Sequence, residues 1–144
     1  MSDRKIVMKP WGSEWWVSPM EAPYMLKVIK LRAGCCTSLQ VHRHKEETLL
    51  ITEGMGMLSL APIPLDLDAY LEGKTSIEEV VATLEFNHIE TNTCIHILPG
   101  QVHQIEAHTN ITFVEASTSH PDDVIRILDP SGRGHGRIDA EHSK

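Results

Sequence analysis

The fold turns on the stretch Gly34-Cys35-Cys36-Thr37-Ser38-Leu39-Gln40-Val41-His42-Arg43-His44-Lys45-Glu46-Glu47, closed after six further residues by Gly54. Side chains two positions apart leave a strand on the same face, so Gln40 and His42 project together, as do His42 and His44. Glu47 belongs to the next strand. About fifty residues later Leu98-Pro99-Gly100-Gln101-Val102-His103 supplies a turn followed by a lone histidine. A donor pair, a carboxylate and a distant imidazole form a four-ligand nitrogen and oxygen set with room for water or substrate. The expected scaffold is a small β-barrel.

Two registers compete for the donor pair. The flanking Gly34 and Gly54 favour Gln40-x-His42. The alternative, His42-x-His44, leaves only two residues before Glu47 and detaches Gly34 from its spacing. His42, Glu47 and His103 belong to both. With 9 histidines in 144 residues a lone pair would carry little weight, so the composite spacing carries the metal reading.

Working outward, strands are expected over 24–32, 37–42, 48–52 and 55–60, with a further short strand after Trp11-Gly12. Strands resume over 93–98, 102–106, 111–117 and 124–128, separated by Gly, Pro and Asn turns. Between them, Pro62 and Pro64 stop the sheet. Thr75 to Leu84 reads as a helix capped by Ser76, with Ile77, Val80, Val81 and Leu84 on one face. Asp66 to Glu72 reads as another helical turn. Residues 61–92 are therefore taken as an insertion too short to bury its own core. The glycine-rich polar end, about 134–144, is expected to be a mobile tail.

Composition bounds the function. The length of 144 residues fits one domain, 1–144, and 41% apolar residues can fill one core. A formal net charge of −7 and the lack of any basic run argue against nucleic-acid binding. No apolar stretch reaches spanning length, and the first residues lack a signal-peptide core, so the expectation is a cytoplasmic protein with no membrane partner. Three cysteines, two of them adjacent, do not make a disulfide framework and are expected to be small core residues.

The Gly34–Gly54 spacing and the Gly100–His103 turn resemble the two motifs of the cupins, with Gln40 in place of the first histidine. Leu98 and Ala107 depart from the second motif's proline and asparagine. The resemblance implies an all-β fold, a single cupin (jelly-roll) barrel. A finer resemblance lies in an ordered series: Lys9-Pro10-Trp11-Gly12, Leu26-Lys27-Val28-Ile29, Ser38 to His42, Leu98 to His103, Val114-Glu115-Ala116-Ser117, Asp122 to Arg126, and Gly132-Arg133. This series is similar to the cupin domain of mannose-6-phosphate isomerases. It looks most like the isomerase half of bifunctional mannose-1-phosphate guanylyltransferase/mannose-6-phosphate isomerase and its small free-standing relatives. Lys45 and Leu49 stand where that family has Arg and Trp, and Asp129 to Arg133 only partly matches its C-terminal motif.

That finer resemblance implies metal-dependent aldose–ketose isomerisation of a sugar phosphate, or chemistry on a nucleotide-linked sugar. The metal set is Gln40, His42, Glu47 and His103. The metal is a divalent ion, zinc first, with Mn, Fe, Co or Ni also accommodated by such donors. Lys27, Glu115 and Arg126 are the catalytic candidates, and Arg133 and His44 the substrate-binding ones. Trp11, Trp15 and Trp16 can stack on a sugar face or pack the barrel. A homodimer is expected. The alternatives are a non-catalytic metal- and sugar-binding cupin, or a non-haem iron oxygenase, since two histidines and a carboxylate suit Fe(II).

Overall fold

Alternation of buried and exposed residues writes the architecture strand by strand. In this computed structural model, which describes residues 5–142, the chain runs β1 (Lys5–Lys9), β2 (Gly12–Trp16), β3 (Tyr24–Leu31), β4 (Leu39–Val41), β5 (Glu47–Glu53) and β6 (Met55–Leu60). Two short helices follow, α1 (Leu67–Leu71) and α2 (Ile77–Ala82). Then come β7 (Glu85–Glu90), β8 (Cys94–Ile97), β9 (His103–Ala107), β10 (Ile111–Thr118), β11 (Ile125–Leu128) and a terminal turn of helix, α3 (Asp139–His142). The strands form two antiparallel sheets, a six-stranded one in the order β1-β2-β3-β10-β5-β8 and a five-stranded one in the order β11-β4-β9-β6-β7. The sequential neighbours β4 and β5 lie in different sheets, as a jelly roll requires.

The facing surfaces of the sheets meet in one core built from Ile29, Leu31, Leu49, Ile51, Leu58, Ile105, Ile111 and Phe113, among others. Each such side chain contributes roughly 1.5–3 kcal/mol on burial. The hairpin between β5 and β6 shows why a glycine is needed there. Gly54 sits at φ +93°, and a Cβ on it would lie 2.1 Å from the carbonyl oxygen of Asn110.

Strand β4 puts Gln40 on the cavity side, while Leu39 and Val41 belong to a second cluster with Ala61, Leu67, Val80, Val102 and Ile127. Leu67 and Val80 come from α1 and α2, so the helical interruption roofs that side of the sheet. Ser76 caps α2 as expected, in a reciprocal capping box with Glu79.

Three sequence expectations change. Strand β7 lies inside the stretch assigned to the insertion, so the interruption of the sheet ends at Leu84. Strands β1 and β7 carry one buried residue each, Val7 and Ile89, and that leaves no alternation to read. The segment expected to be a mobile tail makes specific contacts as far as His142, its last two residues, 143 and 144, lying outside the described ones: Gly136 donates its N–H to the carbonyl of Val124, and Glu141 pairs with Lys9 and Arg133. Cys94 is exposed and Cys35 and Cys36 are half-buried, so none is a fully buried core residue.

Candidate metal centre

Two imidazoles and a carboxylate converge inside the barrel because strand geometry leaves them no other direction. His42 leaves the end of β4, His103 opens β9, and Glu47 opens β5. All three are buried, and each offers a ligand atom within 4.8 Å of the others. His42 Nε2 lies 3.5 Å and His103 Nε2 3.3 Å from the same oxygen, Glu47 Oε1. The rings are tilted, with centroids 5.1 Å apart.

Backbone carbonyls fix the tautomers. His42 Nδ1 is 2.6 Å from the carbonyl oxygen of Asp123, and His103 Nδ1 is 2.9 Å from that of Gln101. A carbonyl only accepts, so both Nδ1 atoms carry the proton and both Nε2 atoms present lone pairs. Those Nε2 atoms are buried without a hydrogen-bond partner. Two lone pairs aimed at a carboxylate oxygen repel unless a cation lies among them, and this donor set fits a divalent metal. Burial holds the His42 imidazole below its ordinary pKa against the pull of Glu47, which keeps it neutral as a ligand must be. Burial would raise the Glu47 carboxyl, but the Lys45 ammonium outweighs it and holds the carboxyl well below the usual carboxylate range.

Two loops lock the ligands. Asp123 accepts the backbone N–H groups of Arg43, His44 and Lys45 at 2.9, 2.7 and 2.9 Å, so the loop after His42 wraps its carboxylate. Burial opposes that charge, yet the three N–H groups outweigh it and hold Asp123 below the ordinary value. Gly100 donates its N–H to the carbonyl of His42 at 2.8 Å, which ties the two motifs together.

The two registers separate here. Gln40 pairs directly across from His103 and lines the same cavity as His42, Glu47 and His103; its Oε1 accepts from Ser38 Oγ at 2.7 Å. His44 is exposed, and its ring lies 5.9 Å from that of His120. The structure therefore does not bring His44 to the cavity, either as a ligand or as a substrate contact, because the Asp123-wrapped turn points it outward.

The cavity, of about 90 Å³, continues from the three residues into a row of charges. Trp16, Lys27, Glu115 and Leu49 align across β2, β3, β10 and β5. Lys45 Nζ bridges Glu47 Oε2 at 3.1 Å and Glu115 Oε2 at 2.9 Å. Lys27 Nζ lies 3.3 Å from Glu14 Oε1, which also accepts from Trp16 Nε1 at 3.0 Å. Burial would raise Glu14, but Lys27, helped by Lys9, the indole N–H and Lys45, pulls it down to about 2. Burial pushes the Glu115 carboxyl up, and Lys45 offsets this only in part. The same two carboxylates lift the Lys45 ammonium well above its ordinary value, although burial opposes them.

Lys27, Glu115, Arg126 and Arg133 all line this cavity. The two arginines are engaged by the chain itself: Arg133 with Asp129 and Glu141, Arg126 with the carbonyls of Gly134 and Gly136. Trp11 and Trp16 line the cavity as well, whereas Trp15 does not. Sequence reading missed Glu14, Asp123 and the bridging role of Lys45. Glu14 carried no motif, Asp123 stood in the Asp122 to Arg126 stretch without a role of its own, and Lys45 registered only as a departure from a motif.

Comparison with known proteins rests on structure, since no family model and no curated protein matches the sequence. The capsular polysaccharide assembling protein CapF from Staphylococcus aureus superposes with a TM-score of 0.63 at 14% identity, over 90% of this chain and 32% of that one. The fold is a cupin jelly roll. KdgF from Halomonas sp. superposes with a TM-score of 0.58 at 11% identity, over 83% of this chain and 89% of that one. A protein provisionally named a sugar phosphate isomerase, from Acidithiobacillus ferrooxidans, gives 0.51 at 13% identity, over 72% of this chain and 55% of that one. This chain thus spans about a third of CapF. Among the described residues no helix is long and apolar enough to cross a membrane.

Proposed function

We propose that this cupin is a metal-dependent isomerase of a sugar phosphate, of the mannose-6-phosphate isomerase type. The observation that carries it is the pair of buried Nε2 lone pairs facing Glu47 in a cavity that also holds Lys27, Glu115, Arg126 and Arg133. His42, Glu47 and His103, with Gln40 beside them, would hold the ion. A divalent metal there supplies a Lewis acid for sugar oxygens.

The chain's own groups do the rest. Isomerisation moves a proton between adjacent carbons, which calls for a carboxyl able to take it and return it. Glu115 is the group whose environment resists its charge, and its hydrogen bond to Lys45 fixes its orientation. Lys27, held by Glu14, sets a cation beside it. The indole of Trp16 screens this corner, with Lys27 Nζ 4.5 Å from its ring centroid. The provisional name of the Acidithiobacillus protein accords with this reading. The test is NMR-detected exchange between mannose-6-phosphate and fructose-6-phosphate by zinc- or manganese-loaded protein. No exchange with either metal removes the assignment.

A second reading, a cupin that binds a sugar without turning it over, draws on the charges being paired already: Lys45 with two carboxylates, Arg133 with two more. Saturable sugar-phosphate binding without exchange across a panel of sugars favours it.

A further inference from the structure

The geometry points to an anion-binding site at the mouth of the barrel, formed by Lys9 and Arg133. In the state described, Glu141 of the chain's own C-terminal turn occupies it, and the phosphate of the ligand takes Glu141's place. Only the choice of phosphate as the anion rests on the sugar-phosphate reading. One carboxylate spans the two cations: Oε1 lies 2.7 Å from Lys9 Nζ, and Oε2 3.3 Å from Arg133 Nη1. A phosphate can divide its oxygens between an ammonium and a guanidinium in the same way. The three side chains are only 9–11% exposed, so the site is desolvated and selects strongly for negative charge.

Three features make Glu141 an occupant that an anion can displace. First, Lys9 and Arg133 both line the cavity, so a ligand inside reaches the same cations. Second, α3 is four residues long and buries none of them, so little apolar burial holds the turn in place. Other ties of the segment are polar or edge-on: Arg126 Nη1 to the carbonyls of Gly134 and Gly136, the Arg126 N–H to His135 Nδ1, the Gly136 N–H to the carbonyl of Val124, and the His142 ring at 5.3 Å from Trp16. Third, the segment itself supplies part of the cavity wall, Gly136, Arg137, Ile138 and His142, so its departure widens the space open to a ligand.

The experiment titrates inorganic phosphate into metal-free full-length protein by calorimetry, with tryptophan fluorescence reporting the departure of His142 from Trp16. Glu141→Gln removes the competitor and is expected to tighten phosphate binding at least tenfold, since the apparent affinity rises with the fraction of open site. Lys9→Gln, on an edge strand that tolerates the change, is expected to weaken binding at least tenfold. The inference is overturned if Glu141→Gln leaves the affinity unchanged or lowers it, if Lys9→Gln binds as the parent does, or if neither the parent nor Glu141→Gln binds phosphate. Turnover is not read in this titration, so the isomerase assignment can fail without deciding it.

Discussion

Replacing Glu14 with glutamine separates charge from shape at a buried ion pair of the cavity. The side chain keeps its size and can still accept from Trp16 Nε1, but the carboxylate facing Lys27 Nζ at 3.3 Å is gone. The carboxyl falls from an ordinary 4.5 to about 2 in the folded protein, with Lys27 the first partner pulling it down against burial. At about 1.4 kcal/mol per tenfold change, that difference corresponds to about 3 kcal/mol of stability. Because the folded value is depressed, the contribution is fully present above about pH 4.5 and is lost as the pH falls through about 2. Roughly half should remain at pH 3. Urea unfolding of parent and Glu14→Gln at pH 7 and pH 3 measures it. The difference in stability should shrink from about 3 to about 1.5 kcal/mol. Groups common to both proteins cancel in this difference. A gap of the same size at both pH values would refute the account, since it would mean that Glu14 acts by packing and not by charge.

Other parts of the molecule give three further expected outcomes. Zinc or manganese in thousandfold excess over its dissociation constant should stabilise the parent by about 4 kcal/mol and His103→Ala hardly at all, read by scanning calorimetry; equal stabilisation of both would place the metal elsewhere. Gly54→Ala forces a side chain into φ +93° and against Asn110, so its urea midpoint should fall by the equivalent of at least about 2 kcal/mol, and an unchanged midpoint would contradict the hairpin geometry. Ile6, Trp15, Val28, Val114 and Leu50 align across five strands on the side of the six-stranded sheet away from the cavity, an uncharged row in a chain of formal charge −7. Two copies can meet over it without facing carboxylates, so Leu50→Lys should shift sedimentation from dimer to monomer, and a parent that sediments as a monomer sinks this expectation.

Period two was enough to bring the candidate donors to one cavity and too little to find their neighbours. Gln40 sits in the middle of β4, His42 follows its end, and Glu47 and His103 open β5 and β9, so a spacing within one segment places each side chain on a face. Most interior strands were visible for the same reason, with boundaries moved by a residue or two. Strands β1 and β7 were hidden because each buries one side chain. Ion pairs are a different kind of fact. Lys45 and Glu115 are separated by 70 positions, and they meet because the register of β5 with β10 sets Glu115 near the turn before β5, where Asp123 holds Lys45. A slip of one residue would turn Glu115 outward and leave Lys45 with one carboxylate. Nothing local in either segment encodes that pairing.

The charges themselves obey a rule that the register exposes. Along β10 the inward positions run Ile111, Phe113, Glu115, Ser117; along β3 they run Leu31, Ile29, Lys27, Met25. Both strands are apolar at one end of the barrel and turn charged at the third inward position, and antiparallel pairing sets these side by side, Glu115 opposite Lys27, with Ser117 opposite Glu47 and Met25 closing β3 in a small cluster with Val7 and Trp16. One end of the interior is therefore a hydrophobic plug that fixes the strands, while the other is a lining whose charges are satisfied in pairs. A barrel selected only for stability would carry aliphatic residues along its whole length, since buried ion pairs seldom outweigh good apolar packing. Keeping Glu14, Lys27, Lys45, Glu47 and Glu115 inside is a cost in folding that binding must justify. The two imidazoles aimed at Glu47 mark where that binding is centred.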